Sequence, residues 1–379
     1  MTGALTLVHV VRQYRPGIGG IEIFVEQLAS AQRRGGHRVR IITLDRIFDD
    51  PGGVRLPARE TINGVEIERI GFAGSKRYPL AASVLGRIGK PDLIHVHAVD
   101  FFADFLALTS LVHRRPMVLT THGGFFHTQF AARLKRLYFA TVTRASLSRY
   151  AAVIACSEED CRQFAPIAGA KLALISNKVD LDKFAGLANR SGSDLLYFGR
   201  IAPNKEIERL LHWFAGLTAI DPVRRLIVAG KPMGESIERL AAVTEQLGIG
   251  GRVEFYASPS DEILKALMRR SSIYACASSY EGFGLAAIEA ASAGLYPVLS
   301  NIAPFAAHVA SIGFGTLVAF DDPASWDNSY VQLEEGLTEF RASFGPDEVR
   351  HRLEPYDLAS LATDYELIYR RVLDEGVAR

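Results

Sequence analysis

A chain of 379 residues is too long for one ordinary hydrophobic core and suits two domains of roughly 150–200 residues each. Apolar residues make up 48% of it and charged residues 22%, the balance of a folded soluble protein. Three cysteines, Cys156, Cys161 and Cys276, lack metal-ligand spacing, which excludes a disulfide framework and points to a reducing compartment. No apolar run reaches the roughly 18–20 residues of a membrane span. Arg12 and Arg15 follow the first apolar run instead of preceding it, so no export signal is read and a cytoplasmic location is expected. The net charge of +1 covers an asymmetry: residues 1–178 carry 24 Lys and Arg against 14 Asp and Glu, and the remainder 19 against 28. Only the basic half suits an anionic partner, and no nucleic-acid partner is expected.

Short β-branched runs recur along the chain, each followed by a stretch of helical periodicity. In the first half they are Leu5–Val11, Val39–Leu44, Val65–Ile70, Leu93–Val96, Met117–Thr121, Val153–Ala155 and Leu172–Ile175. Leu195–Phe198, Leu226–Ala229, Val253–Tyr256, Ile273–Ala275, Pro297–Leu299 and Thr316–Ala319 follow in the second. Continuous apolar strands are buried on both faces and intervening helices make right-handed crossovers, so the fold class is α/β, two doubly wound parallel sheets in series. The apolar pattern lapses at Val179–Ser193, giving domains over 1–180 and 190–357; a helix within 358–379 could reach back to the first domain. Ligands of such sheets sit at the carboxyl ends of strands, so the motifs should follow strands.

After the first strand comes Gly17-Ile18-Gly19-Gly20, where a backbone without side chains can approach a ligand and a helix start offers N–H groups to a phosphate. It lacks the dinucleotide fingerprint, and a plain turn serves the sequence equally well. His95 and His97 stand two apart at a strand end, a spacing a metal could use, but the sequence supplies no third ligand and a core or rim role is expected. His122, within Thr120–Gly124 directly after a strand, is placed either to bond a ligand oxygen or to serve structure. From Phe125 to Ala151 the basic residues Arg133, Lys135, Arg136, Arg144 and Arg149 interleave with Phe125, Phe126, Phe130, Leu134, Leu137, Tyr138 and Val142, with no acid among them. Such a helix either rests on an anionic membrane or turns an apolar stripe to the core.

Asp180-Leu181-Asp182 matches a metal-holding D-x-D pattern but lies at the domain boundary, and no metal or other cofactor is expected. Arg200 and Lys205, where a strand gives way to a helix, pair a guanidinium fork with a compact charge, which suits a diphosphate. The strongest motif runs from Ser278 to Glu289. Glu281 follows a strand, Gly282 and Gly284 loosen the backbone, and Glu289 lies in the second turn of a helix. A buried carboxylate there needs donors, which sugar hydroxyls or a ribose diol supply.

Glu281 and Glu289, eight apart around Gly282-Phe283-Gly284-Leu285, resemble the paired-glutamate signature of retaining glycosyltransferases of family 4, which have the GT-B fold of two Rossmann-like domains. The glycine loop, the histidine and the Arg/Lys pair fall in the family's order over about residues 5–300. Val8–Arg12, Ser75–Pro79, Asp100–Phe102, Thr121–His127 and Glu281–Gly284 are similar to the α-1,3-mannosyltransferases of xanthan and acetan assembly. Those enzymes move mannose from GDP-mannose to a cellobiosyl-diphosphate-polyprenol. The resemblance implies that the first domain binds the lipid-linked acceptor and the second the nucleotide-sugar, on the inner face of the cytoplasmic membrane. It also implies that Arg200 and Lys205 neutralise the diphosphate, Glu281 bonds the sugar, and Glu289 bonds the ribose. Phe283, Gly284 and Leu285 would offer backbone groups, Gly19 and Gly20 would approach the diphosphate, and His122 would bond the donor sugar. Two positions depart from the family: Glu206 stands where glycine is usual, and Lys178 where a left-handed residue is expected.

Overall fold

Every run expected as a strand is one in the computed structural model, which describes residues 3–17, 19–48, 53–76, 78–123 and 136–377. The first unit, Met1–Ser176 with Ala359–Arg379, holds β1 (Thr6–Val10), β2 (Arg38–Leu44), β3 (Arg59–Ile62), β4 (Val65–Ile70), β5 (Ala73–Ser75), β6 (Tyr78–Leu80), β7 (Leu93–His97), β8 (Met117–Thr120), β9 (Ala152–Ala155) and β10 (Leu172–Leu174). Among the described residues the main sheet runs β10-β9-β8-β7-β1-β2-β4-β3, parallel except for the β3–β4 hairpin. Its strand order reverses at β1, so the loops after β1 and β7 diverge there. The closing helix Leu361–Val377 belongs to this unit and packs on helix Gly20–Arg34, burying Tyr365 and Tyr369.

The second unit, Asn177–Leu358, contains β11 (Leu195–Phe198), β12 (Leu226–Gly230), β13 (Val253–Ala257), β14 (Ile273–Cys276), β15 (Tyr296–Ser300) and β16 (Thr316–Val318). They form a wholly parallel sheet in the order β13-β12-β11-β14-β15-β16. By position within the unit this is 3-2-1-4-5-6, the doubly wound order of mononucleotide-binding halves, with its switch point between β11 and β14. The core explains why: Leu195, Leu196, Ile227, Val228, Ile273 and Val298 are wholly buried and receive helices on both faces, including Trp213 and Phe214 from helix Ile207–Ile220.

Two features escaped the apolar pattern. β3 and β4 turn at Asn63-Gly64, both residues at positive φ, and β5 pairs with β6 as a separate antiparallel ribbon. The Asn-Gly pair is a legible hairpin signal.

Candidate active site

The two loops that diverge at the switch point of the second unit carry the strongest sequence motifs, and hydrogen bonds tie them together. The loop after β11 passes Arg200 and tightens into a helical turn, Pro203–Lys205. The Asn204 side-chain amide donates to the Tyr280 carbonyl at 3.1 Å, and the Ser279 N–H donates to the Asn204 carbonyl at 3.0 Å. This stitching brings the Lys205 ammonium onto the Glu281 carboxylate, with both side chains only 12% exposed. Ser278 Oγ donates to the same carboxylate oxygen at 2.8 Å, and Ser300 Oγ donates to the Ser278 carbonyl at 2.5 Å. A partly buried Lys–Glu pair held this way can exchange its internal partner for a ligand phosphate or hydroxyl without either charge being left bare. Arg200 is exposed and its guanidinium has no partner among the described residues, so it is open to an anion.

Glu281 is followed by Gly282-Phe283-Gly284 and helix Leu285–Ala293. Gly284 caps that helix at φ +88, and a Cβ there would meet the Phe305 ring at 2.5 Å, so glycine is dictated twice over. No side chain caps the helix, leaving the first N–H groups at Leu285 open. The Phe283 carbonyl accepts from His308 Nε2 at 2.6 Å, and Tyr356 OH donates to His308 Nδ1 at 3.4 Å. Burial lowers the His308 pKa, which fits a neutral ring with its proton on Nε2. Glu289, one turn into the helix, is partly buried and its carboxylate has no hydrogen-bond partner among the described residues. Burial raises its pKa to about 6, Lys183 opposes the rise, and Asp261 and Asp180 add to it.

In the first unit the turn after β8 presents His122 at φ +56, a left-handed conformation that costs a non-glycine residue roughly 1–3 kcal/mol. Asp160 holds it there. Its Oδ2 accepts from Thr121 Oγ1 at 2.5 Å, from the Gly123 N–H at 3.0 Å and, more weakly, from the Cys156 N–H at 3.4 Å. His122 Nε2 lies 3.0 Å from His97 Nδ1, and Nδ1 lies 3.8 Å from Cys156 Sγ. Burial pushes the His122 pKa down to about 3 and the Cys156 thiol up to about 12. Gly19 is extended (φ −145) ahead of helix Gly20–Arg34, with the Glu22 carboxylate beside it. Gly20 opens onto free space, where a Cβ would meet nothing within 4 Å.

The structure therefore joins Lys205 to Glu281, places Phe283, Gly284 and Leu285 beside them in sequence, and sets Glu289 on the following helix. His122, Gly19 and Gly20 lie in the other unit. Sequence reasoning assigned no role to Ser278, Asn204, His308, Asp160 or Gln32. Of these, only Asp160 carried a signal, in the Ser157-x-x-Asp160 start of helix Glu158–Ala168.

Two expectations change, the missing third histidine and the Lys178 backbone, and the D-x-D segment gains detail. His9, absent from the expected pair, joins His95 and His97: the three rings are buried and offer nitrogens within 4.8 Å of one another. Both nitrogens of each ring are already hydrogen-bonded. Lys178 does not adopt the left-handed backbone expected of it, and its ammonium donates to the Pro355 carbonyl at 2.8 Å. Asp180 accepts from the N–H groups of Asp182 and Lys183, and Asp182 pairs with Arg350, which gives the D-x-D segment a structural use. Of the basic aromatic stretch, residues 124–135, including Phe125, Phe126, Phe130, Arg133, Leu134 and Lys135, lie outside the described residues.

Glu206 explains the other departure. It adopts φ +50 and ψ +43 between the Pro203–Lys205 turn and helix Ile207–Ile220, the conformation that glycine takes at least cost. Its exposed ion pair with Arg209 at 3.3 Å offsets little. Glu206→Gly is expected to raise stability by about 1 kcal/mol in urea unfolding, with an unchanged m value.

Two doubly wound units in one chain, with a Lys–Glu pair and an uncapped helix start at the switch point of the second, make up a GT-B glycosyltransferase. Sucrose-phosphate synthase from Thermosynechococcus elongatus shares the fold with a TM-score of 0.73, covering 98% of this chain and 100% of its own at 19% identity. The family model described as Glycosyltransferase Family 4 matches residues 18–183, and that described as Glycosyl transferases group 1 matches residues 179–346. The GDP-mannose:cellobiosyl-diphosphopolyprenol alpha-mannosyltransferase of Xanthomonas oryzae pv. oryzae is 45% identical over 84% of both chains. Its namesake from Komagataeibacter xylinus is 38% identical over 98% of this chain and 95% of that one. The chain belongs to glycosyltransferase family 4, alongside these mannosyltransferases.

Proposed function

We propose that this enzyme moves mannose from GDP-mannose to a polyprenyl-diphosphate-linked cellobiosyl acceptor in exopolysaccharide assembly, forming an α-1,3 linkage with retention. The similarity to the two mannosyltransferases over most of the chain carries the choice of donor and acceptor. The second unit is the donor domain in this reading. Arg200, Lys205 and the N–H groups at Phe283–Leu285 neutralise the diphosphate as it leaves, Glu281 takes the sugar hydroxyls, and Glu289 takes the ribose diol. A partly buried carboxylate such as Glu289, without a partner among the described residues, gains most from two hydroxyl donors. Gly20 gives the donor diphosphate room, and His122 bonds the donor sugar beside the acceptor. The acceptor hydroxyl attacks from the face of the departing phosphate, which helps to take its proton. Barrier lowering then comes from charge stabilisation and positioning.

Thermal shift tests the donor. GDP and GDP-mannose are expected to stabilise the enzyme by about 2.7 kcal/mol at a free concentration 100-fold above Kd, with UDP and UDP-glucose leaving Tm in place. Selective stabilisation by UDP would transfer the assignment to a UDP-sugar donor.

We infer that the basic first unit also rests on an anionic membrane. No helix of the described residues is long and apolar enough to cross one. Leu137 and Val142 are exposed beside Arg144 and Arg149, and Leu108, Leu111 and Val112 are exposed beside Arg114. Helices Phe101–Leu108 and Arg144–Leu147 pack together, which supports reading the two groups as one surface. Tyr138 contributes less, since its hydroxyl is turned to Asp104. Flotation with liposomes should rise with phosphatidylglycerol content and fall with salt; recovery indifferent to both would exclude this surface.

A further inference from the structure

The histidines at the centre of the first sheet form a single hydrogen-bonded chain that the proposed reaction does not yet use. His122 Nε2 lies 3.0 Å from His97 Nδ1, and His97 Nε2 lies 2.9 Å from His9 Nδ1. His9 Nε2 meets Gln32 Oε1 at 2.8 Å, and the Gln32 amide nitrogen donates to Tyr369 OH at 3.2 Å. Tyr369 OH reaches His95 Nδ1 at 2.6 Å, His95 Nε2 reaches Thr120 Oγ1 at 2.7 Å, and Thr120 Oγ1 reaches Tyr365 OH at 3.2 Å. Gln32, His9, His95, His97 and Thr120 are each no more than 1% exposed. Burial pushes His9 down to about 4 and holds His95 and His97 well below the ordinary histidine range, so each ring is neutral.

A neutral imidazole has one N–H and one lone pair, so each link fixes the next. Gln32 is the one member with a donor end and an acceptor end that cannot interchange without turning the amide. Its Oε1 faces His9, which puts the His9 proton on Nε2 and leaves Nδ1 as acceptor. His97 must then donate from Nε2 and accept at Nδ1, and His122 must donate from Nε2. The lone pair of His122 is left on Nδ1, where the only hydrogen-bond contact among the described residues is a thiol at 3.8 Å, the weakest link in the chain.

We propose that Gln32 is a positioning residue that sets the His122 tautomer through His9 and His97, so that Nδ1 presents a lone pair able to accept a hydrogen bond from a sugar hydroxyl. The role of that hydroxyl rests on the glycosyltransfer reading above; the tautomer does not. With the amide turned, Nδ1 would carry the proton and a hydroxyl would meet a donor in place of an acceptor.

Long-range 1H–15N spectra of the full chain, labelled with 15N-histidine and assigned with His122→Ala, read the tautomer directly. The expected result is a protonated Nε2 and a bare Nδ1 at His122, His97 and His9 alike. A proton on Nδ1 of His122 overturns the proposal, and this needs no variant at Gln32 to fold. In Gln32→Leu the His122 signal should become a mixture of tautomers and kcat should fall about tenfold with donor KM little changed. Gln32→Glu, which can still accept from His9, should restore both. An unmixed wild-type tautomer in Gln32→Leu also overturns it. Full activity of His122→Ala, with the tautomer as stated, would instead remove the catalytic reading and leave the chain intact.

Discussion

Glu281→Ala is expected to lower kcat/KM by about 10³-fold or more while the protein stays folded, because one carboxylate serves three partners in turn. In the unliganded site it accepts from Ser278 Oγ and pairs with the Lys205 ammonium. In the proposed complex it passes to the hydroxyls of the transferred sugar. Each charge-assisted hydrogen bond contributes roughly 1.5–3 kcal/mol, so losing two accounts for a fall of this size. Alanine also leaves Lys205 partly buried without its counter-charge, a cost that Glu281→Gln reduces by keeping the Ser278 bond. Since Lys205 and Glu281 are one unit, Lys205→Ala with Glu281→Ala should cost much less than the product of the single losses. Steady-state transfer from radiolabelled donor, with Tm measured alongside, checks this. Near-normal turnover in Glu281→Ala would falsify the site assignment.

The second large effect is expected at a residue that touches no substrate. Asp160→Ala removes the acceptor shared by the Thr121 hydroxyl and the Gly123 and Cys156 N–H groups, all around the His122 turn. Leaving buried donors unsatisfied costs roughly 1–3 kcal/mol each, so about 3 kcal/mol of stability should be lost in urea unfolding. Released from the clamp, His122 can leave its left-handed backbone, and kcat should fall by about 10²-fold, the scale of a displaced polar contact at the reacting centre. His122→Gly with Asp160 intact separates the two effects: relief of the strain at φ +56 offsets the bond lost at His97, so activity should fall with little net change in stability. Retention of full kcat in Asp160→Ala at a temperature where it is folded would reduce the clamp to a purely structural one.

The strands and the loops that carry Lys205 and Glu281 were legible for the same reason. Continuous runs such as Leu226–Ala229 need burial on both faces, which in turn demands parallel strands with helical crossovers. Motifs at strand ends then mark ligand sites, and Lys205 and Glu281, 76 positions apart, do converge at one switch point. The Asn63-Gly64 hairpin was also legible, through turn chemistry instead of hydropathy. Glu206 was legible only as an oddity: the sequence shows an acid where the family has glycine, and the backbone at φ +50 shows what it endures there.

By itself, then, the sequence determined the two doubly wound sheets, the identity of the charged groups and their order along the chain, because periodicity and strand-end position are local properties. Tertiary structure decided what those groups bond. Asp160 grips the turn around His122 from a different βα unit, and His308 fixes the Phe283 carbonyl from 25 positions away. Gln32 connects His9 to Tyr369, which stands 337 positions after Gln32 on a helix that returns to the first unit from the end of the chain. Hydrogen bonds have a reach of about 3 Å and strict direction, and no spacing rule in one dimension encodes which buried donors and acceptors a fold will bring within it.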